Sequence, residues 1–224
     1  MTADDDRPQT LRKITIICDP QDDSLAFLAH DIADATLAYA HLSGTRAPAF
    51  HIVGPDEDAP GTYGDGIIVA KTLSPDADVI DLNRMVLGAI GPNTPVYLLV
   101  HDTGDDRAKA VALIQHACKS CTDAGLAWKG ALHLRVGAPF ALLAHSPRLG
   151  LLRRPFSESI DKLIGALRMG CSIRRAQELG GADVSDIGNL GVIAAQPALP
   201  APLWRATMRL FARRVSGMHT PLVS

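Results

Sequence analysis

The feature that most constrains this chain is a set of short runs that are apolar at nearly every position. Lys13 to Cys18 (KITIIC), Asp65 to Lys71 (DGIIVAK) and Pro95 to His101 (PVYLLVH) are of this kind. A strand that is apolar on both faces needs cover on both faces, which is the condition of a central parallel strand. Between such runs lie helix-length stretches. From Ser24 to Leu42, the residues Leu25, Leu28, Ile32, Ala35, Leu37 and Tyr39 recur at helical spacing with Asp31 and Asp34 facing out. Ser43-Gly44 closes that helix.

The same reading places strand two at Ala49 to Val53, a helix over residues 76–90, a helix over Arg107 to Ala124 and strand five at Leu132 to Val136. A helix from Ser157 to Met169 and a tail helix from Ala201 to Val215 complete the chain. Strands alternating with helices read as βαβ units with right-handed crossovers. The expected fold class is therefore α/β, a flavodoxin-like three-layer sandwich around a five-stranded parallel sheet of order 2-1-3-4-5. In that order a ligand crevice opens at the carboxyl ends of strands one, three and four. The loops to inspect are residues 19–24, 72–76 and 102–106.

With 224 residues, 47% of them hydrophobic, the chain can bury one sizeable core. The expected organisation is a disordered leader over 1–11, a flavodoxin-like domain over 12–175, and a C-terminal extension over 176–224 whose amphipathic helix packs on the domain. A net charge of -2 gives no general pull toward nucleic acid or an anionic membrane, although the last quarter is locally basic. The acidic start lacks the basic and apolar regions of a signal peptide, and no apolar run spans a bilayer. A cytoplasmic protein with reduced cysteines is expected. Cys118 and Cys121 form a C-x-x-C pair inside a helical pattern, away from the helix N-terminus that lowers a redox thiol's pKa, so they read as structural.

From about Gly64 onward the chain resembles the flavodoxin-like NAD(P)H-dependent oxidoreductases, the FMN reductase group. The stretches that carry the resemblance are Asp65 to Leu73, Pro95 to His101, the helix with Ala112-Leu113 ahead of Cys118, the entry Trp128-Lys129-Gly130 to the last strand, and the closing segment Pro197 to Trp204. The resemblance implies FMN bound at the strand ends, NAD(P)H as reductant, a flavin or nucleotide as small-molecule partner, and a homodimer. It does not single out a catalytic residue. Mapped onto this sequence, the cofactor positions are Asp19, Gln21 and Ser24 after strand one, Lys71, Thr72 and Leu73 at the end of strand three, and His101, Thr103 and Gly104 after strand four.

The chain departs from that group where a phosphate is held. The group wraps the FMN phosphate in a glycine- and hydroxyl-rich loop at a helix N-terminus. Here the loop reads Asp19-Pro20-Gln21-Asp22-Asp23-Ser24, and only Ser24 offers a hydroxyl. No aromatic side chain follows strand four to stack on a flavin. The alternative reading is a non-catalytic flavodoxin-fold binding or interaction protein that has lost flavin.

Other chemistry is weighed on the same residues. Asp19, Asp22 and Asp23 suit a Mg²⁺ ion by ligand type, and equally suit a helix start with Ser24 or Asp23 as N-cap. The second reading is preferred, and no metal is expected. His101 beside Asp102 makes an imidazole oriented by a carboxylate geometrically possible. His133 and Arg135 fall on one face of strand five, read as partly exposed. Arg148, Arg153 and Arg154 flank an expected loop, and Arg174, Arg175, Arg205, Arg209, Arg213 and Arg214 make the C-terminal part basic. The opposite face of the tail helix is expected to carry Leu203, Met208, Leu210 and Phe211. Neither G-x-S-x-G nor a Walker A motif occurs, which removes the corresponding hydrolase and nucleotide-triphosphate readings.

Overall fold

A computed structural model describes residues 10–55, 63–74, 90–104, 107–135, 150–180, 190–195, 197 and 199–218. The elements run β1 (Lys13–Ile17), α1 (Asp23–Leu42), β2 (Ala49–Val53), β3 (Gly66–Leu73), β4 (Pro95–Asp102), α2 (Arg107–Asp123), β5 (Ala127–Arg135), α3 (Gly150–Met169), α4 (Ile173–Leu179), β6 (Val192–Ala195) and α5 (Ala201–Met218). The strands form one sheet of order β2-β1-β3-β4-β5-β6, and every neighbouring pair is parallel. The helix expected over 76–90 lies outside the described residues except for Ile90.

The apolar runs are explained by two cores. Ile14, Ile16, Ile68, Ala70, Tyr97, Leu99, Leu132 and Leu134 point to one side of the sheet, where α1, α3 and α5 cover them through Leu28, Ile32, Phe156, Leu163, Trp204 and Met208. Ile17, Ile67, Val69, Leu98, Val100 and Ala131 point to the other side, against Ala110, Leu113, Ile114 and Ala117 of α2. Successive residues of one strand thus feed different cores, as a period of two requires. The buried Tyr97 keeps its hydroxyl satisfied by donating to the Cys171 carbonyl at 2.9 Å. Leu11, at the end of the segment read as a leader, is buried in the first core.

Among the described residues the sheet has six strands rather than five. Val192 to Ala195 extends it beyond β5, with Ala131 paired to Val192 and Leu134 to Ala195. A four-residue run that follows a glycine and is soon broken by Pro197 carries too little periodicity to announce a strand. β5 also starts earlier than expected, at Ala127, and a bulge falls at Lys129 between the Val96–Trp128 and Tyr97–Gly130 pairs. Gly130 makes that possible: its φ is +119°, and a Cβ there would stand 2.5 Å from the Gly191 carbonyl oxygen.

Three further expectations are corrected. Gly150 to Arg154 belongs to α3 and is not a loop, and Arg154 pairs with Glu158 at 2.8 Å one turn on; Arg148 lies outside the described residues. In α1, Leu37 and Tyr39 face solvent, since the helix buries the stripe through Leu25, Leu28, Ala29, Ile32, Ala33, Thr36 and Ala40. Among the described side chains of α5, Trp204 and Met208 are buried while Leu203 and Leu210 are exposed; the side chain of Phe211 lies outside the described ones.

Candidate functional site

The carboxyl ends of β1, β3, β4 and β5 gather the polar side chains that the sequence singled out. At the β1 end, Asp19 starts a tight turn: its carboxylate accepts from the Gln21 amide at 2.9 Å and its carbonyl from the Asp22 amide at 3.1 Å. The turn delivers Asp22, in extended conformation, to the N-cap of α1. There the Asp22 Oδ1 accepts from the Ser24 and Leu25 amides at 2.9 and 3.1 Å. The cap is therefore Asp22, not Ser24 or Asp23. Asp22 wins because its main chain is still extended and its carboxylate reaches two amides of the first turn.

The second carboxylate oxygen of Asp22 accepts from the Thr72 hydroxyl at the end of β3. Thr72 Oγ1 in turn lies 3.2 Å from His101 Nδ1 on β4. A hydroxyl has one proton to give, and with that proton on the Asp22 side the histidine must donate through Nδ1. Asp22, Thr72 and His101 thus form a polar chain across β1, β3 and β4, and His101 is only 1% exposed at its inner end. Thr72 and His101 meet because they are register partners in neighbouring strands.

His101 is not oriented by Asp102. Adjacent residues of a strand point to opposite faces, so Asp102 joins the α2 side of the sheet. Its Oδ2 accepts from His133 Nε2 at 3.0 Å, and its Oδ1 accepts from the Gly104 amide at 2.9 Å. His133, read from sequence as partly exposed, is 2% exposed. Its partner sits two positions along β4 from its register mate Val100. That diagonal is invisible without the strand register, so the sequence alone does not show the pair. Arg135 is half-buried at the end of β5.

The remaining expected positions divide between the two faces. Leu73 is buried, and its carbonyl accepts from both the amide and the hydroxyl of Thr103 at 3.0 and 3.1 Å. Gly104 follows as the anchor to Asp102. Ser24 is buried in the first turn of α1. Lys71 is half-buried and alternates onto the α2 side with Val69 and Leu73, away from the Asp22 chain. Asp19 and Gln21 stay exposed on the turn.

These residues do not fit an FMN phosphate at the β1 corner. The Ser24 and Leu25 amides that would face it are engaged by Asp22. A unit charge 4 Å from the Asp22 carboxylate is repelled by about 4 kcal/mol at an effective dielectric of 20, against about 2 kcal/mol at most from the helix end. Repulsion prevails. Thiol chemistry is disfavoured as well: burial first, then the Asp19 and Asp22 carboxylates, pushes the Cys18 thiol up. Burial likewise raises Cys118, and pushes Cys121 up to about 12, the reverse of what a redox pair needs.

Among the described residues no group of three or more His, Cys, Asp and Glu is placed to hold a metal ion, and no helix is long and apolar enough to cross a membrane. Compared with protein-family models, with curated proteins and with solved structures, the chain matches none.

Proposed function

We propose that the chain is a flavodoxin-like binding or interaction protein without flavin chemistry. Its strand-end loops form the recognition surface, and the corner that holds a phosphate in the FMN reductases it resembles is filled from within. The observation that supports this reading is the double use of Asp22, which caps α1 and accepts from Thr72. The carboxylate stands where the ligand's anion would, so the anion site is satisfied internally.

A second reading is an FMN-dependent NAD(P)H oxidoreductase working as a homodimer. Lys71, a half-buried cation near the end of β3, favours it as a charge for the flavin ring edge, since it lies on the α2 side and away from the phosphate corner. Titration of the full chain with FMN, followed by flavin fluorescence, separates the two. The binding-protein reading expects colourless protein and a dissociation constant weaker than about 1 mM, equivalent to about 4 kcal/mol. A yellow preparation, or saturable quenching at micromolar FMN that Lys71→Ala weakens, overturns it in favour of the reductase.

A further inference from the structure

The end of the chain carries charge of one sign. No Asp or Glu occurs after Asp186, while α5 holds Arg205, Arg209, Arg213 and Arg214, in a chain whose net charge is -2. The inner face of α5 is already used: Trp204 and Met208, one turn apart, are buried in the core, and the Trp204 ring lies 5.9 Å from Phe156. Its outer face is not polar in the ordinary way. Leu203 and Leu210, two turns apart on one stripe, are 58% and 67% exposed, and Ala206 is exposed between them. Arg209 and Arg213 are exposed beside that stripe.

We propose that this outer face of α5 docks on an anionic phospholipid surface, with Leu203 and Leu210 entering the headgroup boundary and Arg209 and Arg213 meeting lipid phosphates. Charge complementarity selects the occupant. A second copy packed on this face across a two-fold axis sets the arginines of each protomer against those of the other. A nucleic acid backbone is matched by basic and polar side chains, and gives exposed leucines nothing to bury against. A bilayer surface satisfies both parts of the face. Two leucines are a shallow anchor, so attachment is reversible and falls as salt screens the arginines.

The test is flotation of the full chain with vesicles of equimolar phosphatidylglycerol and phosphatidylcholine, against vesicles of phosphatidylcholine alone. At least about tenfold more protein is expected with the anionic vesicles, and the excess should be lost near ~0.5 M salt, where the Debye length is only a few ångströms. Leu203→Glu with Leu210→Glu should reduce flotation to background while leaving the circular dichroism spectrum and the unfolding midpoint unchanged, because neither side chain is in the core. Equal recovery on both vesicle types, or full flotation by the double variant, overturns the proposal. Absence of flotation on either vesicle also overturns it.

Discussion

Asp22 shows how much one side chain decides at the residue scale. Its carboxylate stabilises the start of α1, ties α1 to β3 through Thr72 and removes the anion site that this junction offers in nucleotide-binding folds. Asp22→Ala should cost about 2 kcal/mol in urea unfolding, roughly half from the lost cap and half from the Thr72 hydroxyl left without its acceptor. Asp22→Asn keeps an acceptor at the cap and should cost clearly less. Equal losses in the two variants would show that charge rather than hydrogen bonding holds the junction. The Asp102 and His133 pair invites a double-mutant cycle. Each single alanine variant should cost about 3 kcal/mol, since it strands a buried partner. The double variant should cost at least about 1 kcal/mol less than the sum, because the pair shares one interaction. Strict additivity would mean that each side chain is held by other groups.

At the scale of elements, the interface between α1 and α3 joins an apolar interior to a charged rim. Arg168 of α3 donates to the Ser43 hydroxyl at 2.7 Å and lies over the Tyr39 ring at 5.9 Å. The carboxyl of Asp161 of α3, exposed at this rim, is raised from its ordinary pKa, first by the desolvation of its inner side and then by the Asp31 and Glu158 carboxylates, against a lowering hydrogen bond from Tyr39. A carboxyl whose folded pKa is raised penalises the fold when ionised. That penalty is present at neutral pH, is relieved as pH falls through the raised value, and is gone below the unfolded value of ~3.9. Asp161→Asn should therefore raise the unfolding midpoint at pH 7 and leave it unchanged near pH 3. A variant that is less stable at pH 7 would show that the Tyr39 contact outweighs the penalty. Deeper in the same layer, Phe156 is fully buried against Trp204. Phe156→Ala should cost about 4 kcal/mol through lost transfer energy and the cavity left behind.

At the scale of the whole molecule, the C-terminal part completes the sheet and one of its covers. β6 protects the edge of β5, and Trp204 and Met208 cover the same core that α1 and α3 line. A chain ended after residue 186 should lose cooperative unfolding, bind a hydrophobic dye and self-associate, because a flat edge and apolar surface would be laid open together. Cooperative unfolding at the full-length midpoint would show instead that the sheet through β5 stands without its last strand and helix.

By itself the sequence determined the layered α/β plan, because a run such as PVYLLVH can be satisfied only when both faces of a strand are covered. It also disclosed that the junction after β1 is acidic, a property of composition alone. Only the tertiary structure decided which Asp caps α1, that His101 belongs with Thr72 while Asp102 belongs with His133, and that VIAA is a strand. Each of these depends on strand register and on which face of the sheet a side chain enters. Register is a relation between segments far apart in the chain, fixed by the packing of two cores at once, so no local pattern can carry it.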